Sequence, residues 1–168
     1  MSADILIPVH NGEPFIFDCV SSALKVANTI DSLVIVSVNW CTDNTVSILS
    51  SFNDSRLIVL HTDKFLSGGE NYRNCLKRSE SEYIIMIGAD DKFNIEGQAL
   101  LFENLNALDV RPSVLFGYDE IIDVNDRIRR SHQHSRHWKR LTTGKILRNS
   151  FSGRNPNLNG AWIKRKLF

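Results

Sequence analysis

Cysteine is scarce and scattered: Cys19, Cys41 and Cys75 are the only three in 168 residues. None belongs to a CxxC or to a Cys/His group with zinc spacing, which excludes a zinc module. An odd number of lone thiols argues against a disulfide framework and fits a reducing cytoplasm, each thiol serving as small buried filler. Long apolar runs are missing too. The first, Ile5-Leu6-Ile7, is stopped by Pro8, far short of a signal-peptide core or a membrane span. A soluble, cytoplasmic chain is the expectation. Neither sign of charge dominates, since 20 Lys and Arg stand against 19 Asp and Glu, a formal net charge of +1. Overall charge thus gives no reason to expect a polyanionic partner, and no nucleic-acid partner is expected. There is no internal repeat and no low-complexity segment.

What is present fits one folded domain. The chain is 42% hydrophobic and 23% charged, close to the globular average, so a packed core is expected. Ile5 to Val9 reads as a first strand. Glu13 to Val26 has a helical apolar period, with Pro14 in its first turn. Leu33 to Val38 is a β-branched second strand, and Thr42 or Asp43 is placed to cap a helix through Leu49. Arg56 to Leu60 reads as a third strand. A helix opens at Ser67-Gly68-Gly69-Glu70 and runs to about Ser79. Tyr83 to Ile87 is the fourth strand, Asn94 to Leu108 an amphipathic helix ended by Pro112, and Ser113 to Tyr118 the fifth strand. Strands alternating with helices imply βαβ units, a parallel sheet and right-handed crossovers. Beyond Gly117 the pattern changes. Asp119 to Val124 and Arg127 to Arg130 read as a hairpin turning at Asn125-Asp126. Thr143 to Asn149 reads as a short helix, Asn155-Pro156-Asn157 as a loop, and Asn159 to Lys164 as one more strand.

The stretch Tyr83-Ile84-Ile85-Met86-Ile87-Gly88-Ala89-Asp90-Asp91 organises the rest. An uncharged apolar run of this kind is a strand buried on both faces. Its end lies at the carboxyl edge of the sheet, where open α/β folds bind ligands. Two adjacent carboxylates repel, and a hard divalent ion such as Mg²⁺ or Mn²⁺ suits them. Taken alone, the pair also fits an ordinary strand exit with solvated aspartates. However, three further strand-to-helix loops open on the same edge with unusual polar residues: His10 and Asn11, Asn39 to Asp43, and Ser67 to Asn74. Together the four form a nucleotide crevice.

Pro8-Val9-His10-Asn11-Gly12, Asn39-Trp40-Cys41-Thr42-Asp43-Asn44-Thr45, Arg73-Asn74 and Ala89-Asp90-Asp91 resemble the family 2 glycosyltransferases. The family's usual forms are P-x-Y-N, D-D-G-S-x-D-x-T, A-R-N and D-x-D-D. Order and spacing match across nearly the whole chain, and Asn159 to Arg165 is similar to the later G-x-x-x-x-R strand. The resemblance implies a GT-A (Rossmann-like) three-layer α/β/α sandwich with a mostly parallel central sheet, its C-terminal part truncated. Residues 1–168 would be one nucleotide-sugar-binding domain, with 1–117 the nucleotide-binding half and 118–168 the start of the acceptor-side half.

The resemblance also implies roles. Pro8, His10, Asn11, Asn39, Arg73 and Asp90 would bind the nucleotide, and Asp91 a Mn²⁺ or Mg²⁺ ion on the diphosphate. His10 stands where the family stacks an aromatic on the base. Asn39 replaces a base-reading aspartate and still offers one acceptor and two donors. The Arg73 fork, with Asn74 beside it, suits a carbonyl or phosphate. Asp90 would hold the ribose. Val38 replaces another acid of the second motif, and Trp40 and Cys41 replace Gly-Ser, so the base is open; Gly88 replaces the first acid of D-x-D-D, so the metal site keeps fewer charges and a weaker metal affinity is expected. Asp43 is read as a helix cap.

The implied activity is inverting transfer of a sugar from a nucleotide-diphosphate donor, with a UDP-sugar as the first guess. The acceptor would be a saccharide or lipid-linked molecule of surface polysaccharide synthesis. Inversion needs a general base for the acceptor hydroxyl. In the family this is a carboxylate of a late acidic pair, expected beyond Phe168, so no residue here is assigned to it. The segment Arg127 to Arg140, rich in Arg with His132, His134 and His137, is either a solvated hairpin and loop or a contact with an anionic acceptor, such as a lipid-linked phosphate, or with the inner membrane face. Two other classes stay open: a catalytically silent nucleotide-sugar-binding module and a nucleotidyltransferase. The latter needs a Gly-rich basic loop after the first strand, where Pro8 to Pro14 has a single glycine and only His10 as a basic residue.

Overall fold

A computed structural model of the chain describes residues 2–109, 112–115, 119–122, 127–132 and 160–168. The first strand, β1 (Ala3–Val9), is flanked on one side by β2 (Val34–Val38) and then β3 (Leu57–His61). On its other side lies β4 (Tyr83–Met86), and all three pairings are parallel. Burial alternates along β1: Ile5, Ile7 and Val9 face one apolar cluster and Leu6 the other. A strand buried on both faces is mostly apolar, which is why no polar alternation marks it; its one charged residue, Asp4, is buried and accepts the Leu33 N–H and the Ser79 hydroxyl.

Helices cover both faces. α1 (Ile16–Ile30) packs on the Ile5 side together with α4 (Ile95–Asn106). α2 (Thr45–Ser50) contacts α1. α3 (Gly68–Arg78) covers the opposite face, with Tyr72, Cys75 and Leu76 packed on Leu6, Ile35 and Ile84. The result is the expected three-layer sandwich. Ser67 starts α3 with a capping box: its hydroxyl accepts the Glu70 N–H, and the Glu70 carboxylate accepts the Ser67 N–H.

The α1 boundaries differ from the sequence expectation. Pro14 lies in a turn before the helix, where the Gly12 carbonyl accepts the N–H groups of both Phe15 and Ile16. At its other end α1 continues to Ile30 and stops at Asp31, whose φ is 50°. α2 begins after Asn44, not after Thr42 or Asp43.

The larger difference is in the sheet. The fifth strand, β5 (Val114–Leu115), does not adjoin β4. Between them, antiparallel to both, runs a late strand at Trp162–Lys164. Trp162 explains that insertion. Its side chain is 0% exposed and packs near Tyr83 and Phe102, and its indole N–H donates to Gln98 Oε1 at 2.7 Å. An inner position, with a strand on either side and α4 over the face, suits a side chain so fully buried. The separate hairpin pairs β6 (Asp119–Ile122) with β7 (Ile128–His132), as expected. We number the late strand β8; a single 3₁₀ turn (Arg165–Leu167) follows it. The expected turn at Asn125-Asp126, the helix Thr143 to Asn149, the loop Asn155-Pro156-Asn157, and His134, Arg136, His137, Lys139 and Arg140 lie outside the described residues. Among those described, no helix is long and apolar enough to cross a membrane.

Candidate functional site

The carboxyl ends of β1, β2, β3 and β4 open on one edge, and hydrogen bonds link their loops. The first and second are tied most closely. His10 Nδ1 lies 2.7 Å from the Asn39 carbonyl; since that partner only accepts, Nδ1 carries a proton and donates. Asn11, exposed and with φ 52°, accepts the Thr42 N–H at 2.8 Å. The Gly12 N–H donates to Thr45 Oγ1 at 2.8 Å.

Asp43 is a cross-link between the two loops. Its carboxylate accepts the Glu13 N–H, the Thr45 N–H and the Thr45 hydroxyl. Partial desolvation pushes its pKa up, but these three donors outweigh it and hold the carboxyl below the ordinary range. Asp43 is therefore not the helix cap, which is Asn44, but a tie from the second loop to the first.

Asn39 joins the second loop to the third. It is 3% exposed, its Nδ2 donates to the Leu66 carbonyl and its Oδ1 accepts the Leu66 N–H, both at 2.8 Å. The acceptor and donors expected to face a base are therefore turned inward, on backbone. The third loop reaches back to the first through Phe65, whose ring meets His10 edge-on at 5.0 Å.

α3 sets the next group. Asn71 and Asn74 both bond Ser37 of β2: the Ser37 hydroxyl donates to Asn71 Oδ1 and accepts Asn74 Nδ2. Asn74, placed by the sequence at the diphosphate, is instead a half-buried tie between helix and sheet. Arg73, between them, is exposed, and its charge helps lower the Glu70 carboxyl after the Ser67 bonds have done most of it.

The fourth loop is a turn closed by the Asp91 N–H donating to the Gly88 carbonyl at 3.1 Å. A Cβ at Gly88 would stand 2.8 Å from Asp90 Oδ1 and 3.0 Å from Asp91 Oδ2. Both carboxylates therefore fold over the glycine and converge on one spot. Gly12 puts the first loop beside this turn, since a Cβ there would lie 3.8 Å from that of Ala89. Cys19 and Tyr72 underlie the pair, donating to the carbonyls of Gly88 and Ile87 at 3.4 and 3.5 Å. Burial, then the charges of Asp91 and Asp90, pushes the Cys19 thiol up to about 12. Burial, then mainly Cys75 and Asp91, raises the Tyr72 phenol. Both stay protonated donors beneath the two acids. Lys92 reaches Asp18 of α1 at 4.0 Å, holding the turn against the helix.

Pro8 is half-buried in β1 opposite Ser37. By strand alternation its nitrogen points toward β4, whose pairing with β1 ends at Leu6 and Met86. A missing N–H there breaks no ladder. Of the expected residues, His10, Asn11 and Asn39 are joined through the first three loops, Asp90 and Asp91 converge on the fourth, and Arg73 stands exposed on α3; Phe65 and the inward use of Asn39 were not anticipated. A lone aromatic in the polar loop Asp63-Lys64-Phe65 was the available signal for the former. Val38 is buried, 3% exposed, and belongs to the core. Two concavities of about 520 and 340 Å³ lie instead at the amino ends of the strands, lined by Glu82 and Lys164 and by Asp4 and Arg56 respectively.

A model of glycosyl transferase family 2 matches residues 4–168. Solved structures of similar fold include residues 1–349 of S. aureus TarS, with a TM-score of 0.56 at 21% identity over 68% of this chain and 34% of that one. The same protein in complex with UDP-GlcNAc gives 0.54 at 21% identity, over 75% and 42%. The mannosyltransferase PcManGT from Pyrobaculum calidifontis, in complex with GDP-Man and Mn²⁺, gives 0.54 at 16% identity, over 60% and 31%. The chain spans less than half the length of each of these structures. A search of curated proteins gives no match. With a mostly parallel sheet, helices on both faces and a family match over nearly its whole length, the chain has the GT-A fold and belongs to glycosyl transferase family 2.

Proposed function

We propose that this chain is the donor-binding part of an inverting, cytoplasmic glycosyltransferase that uses a nucleoside-diphosphate sugar, a UDP-sugar first. The acceptor is a saccharide or lipid-linked molecule of surface polysaccharide synthesis. The supporting observation is the convergence of Asp90 and Asp91 over Gly88, in a turn that the first loop approaches at Gly12 and Ala89. In this reading residues 1–117 bind the donor and 118–168 begin the acceptor side.

Two carboxylates meeting at one point are a hard, anionic donor set, and they fit a divalent cation. Among the described residues no group of three or more His, Cys, Asp or Glu could hold one. Asp91 would thus hold Mn²⁺ or Mg²⁺ with Asp90 beside it, the other positions falling to phosphate oxygen and water. When bound, such an ion neutralises charge on the leaving diphosphate. Arg73 adds a fixed positive charge for the same group, and Asp90 accepts from the ribose hydroxyls. His10 packs on the base, while Asn11 and Asn39 hold the two loops that frame it. The base that deprotonates the acceptor is assigned beyond Phe168. Arg127 to Arg140 is the segment proposed for peripheral membrane contact.

The test is thermal. UDP with Mn²⁺ is expected to stabilise the chain by about 2.7 kcal/mol at one hundred times its Kd. No shift with UDP or GDP, with or without Mn²⁺, would remove the donor reading. Gly88→Ala sharpens it. The added methyl must displace both carboxylate ends, which are flexible, so the ligand-free chain is expected to stay within about 1 kcal/mol of the parent. The Mn²⁺-dependent part of the UDP shift should fall clearly. An unchanged Mn²⁺-dependent shift would mean that the two acids do not need to converge.

A further inference from the structure

The usual way to read a base at this edge is a polar side chain at the end of β2. That route is closed here. Asn39 is 3% exposed, and its amide both donates to and accepts from Leu66. Val38, the residue before it, points into the core. What the rim offers instead is aromatic. Phe65 is 58% exposed and sits edge-on to His10 at 5.0 Å. It does not float: Leu66, next in the chain, is bonded through both N–H and carbonyl, and Ser67 is fixed by the capping box. Trp40, adjoining Asn39, is also 58% exposed. It holds φ 50°, a left-handed conformation that glycine adopts freely and a bulky residue rarely does. An indole kept outward on strained backbone, at the mouth of a site, points to a binding role.

We propose that the nucleobase is held by an aromatic rim, with Phe65 and Trp40 flanking His10, and that the site discriminates only weakly between bases. This rests on the donor reading above. Every base presents a π-face, so stacking binds all of them, and only edge hydrogen bonds tell them apart. Asn39, the polar side chain at the end of β2, is turned inward onto Leu66 and offers no such edge contact.

Titration calorimetry with Mn²⁺ and UDP, GDP, ADP or pyrophosphate separates the parts. UDP and GDP are expected to bind within about tenfold of each other, and all three nucleotides more tightly than pyrophosphate. Phe65→Ala and Trp40→Gly should each weaken nucleotides by about 5- to 100-fold, the range for one lost stacking partner, and leave pyrophosphate unchanged. Trp40→Gly also relieves the backbone, so a folding defect is not expected to mask the result. Binding of one base more than a hundredfold over the others, or nucleotide affinities unmoved by both substitutions, would overturn the aromatic rim while leaving the diphosphate site intact. Failure of Mn²⁺ with pyrophosphate and with every nucleotide would overturn the donor reading and this inference with it.

Discussion

Asp91→Ala is expected to abolish the Mn²⁺-dependent part of stabilisation by UDP, leaving at most the smaller metal-independent shift. The argument starts from the turn. Its closing bond runs from the Asp91 N–H to the Gly88 carbonyl and is backbone only, so alanine keeps it. The lost carboxylate is exposed, and its removal relieves repulsion from Asp90, with which it converges over Gly88. The apo fold is therefore expected to change by less than about 1 kcal/mol. Cation binding cannot survive in the same way. Losing a group that merely orients a metal ligand already costs about 10- to 100-fold in affinity, and losing the ligand itself should cost more. The two parts are read from melting curves with UDP, with and without Mn²⁺. A Mn²⁺-dependent shift equal to the parent's would take Asp91 out of the site.

Trp162→Ala is expected to cost about 3–5 kcal/mol, the range for deleting a fully buried large aromatic. Set against the roughly 5–15 kcal/mol that holds a typical domain, that is a large share. At about 2–4 °C per kcal/mol for a chain of this size, melting should drop by roughly 6–20 °C. Two contributions add: the cavity beside Tyr83 and Phe102, and the loss of the indole N–H that Gln98 Oε1 accepts. Trp162→Phe separates them, because it keeps most of the ring and strands the buried oxygen, at about 1–3 kcal/mol. Urea unfolding of the three proteins measures both. A cost below about 1 kcal/mol for the alanine variant would place β8 outside the sheet. The consequence reaches the site, since the Gly160 N–H donates to the Met86 carbonyl at the end of the strand that leads to Asp90.

The parallel core was legible because β1, β2 and β4 are apolar on both faces but for Asp4 and Ser37, a pattern that needs no partner to be recognised. The loops were legible as a set because topology alone puts them on one edge. Asn39 was not. A polar residue at a strand end looks the same whether it faces a ligand or a neighbouring loop, and only the placement of Leu66 decides. Asn74 misled for the same reason, its partner Ser37 lying 37 residues away in sequence. The order of β8 and β5 was hidden because three-residue strands carry no periodicity, although a Trp among apolar neighbours was a sign of deep burial. Phe65 was passed over as a loop residue, and its meeting with His10 depends on two loops 55 positions apart.

Because β8 lies between β4 and β5, the outer side of β4 is covered by residues near the end of this stretch of chain. During synthesis β4 can pair with β1 long before Trp162 exists, and until then its other edge is bare. An open, wholly apolar strand of that kind invites pairing with another nascent chain. Closure joins segments some eighty positions apart, Tyr83 with Lys164, a long-range step of the slow sort. Fragments that stop short of Trp162 should therefore aggregate as they are made, and should be rescued by supplying the missing strand as a peptide.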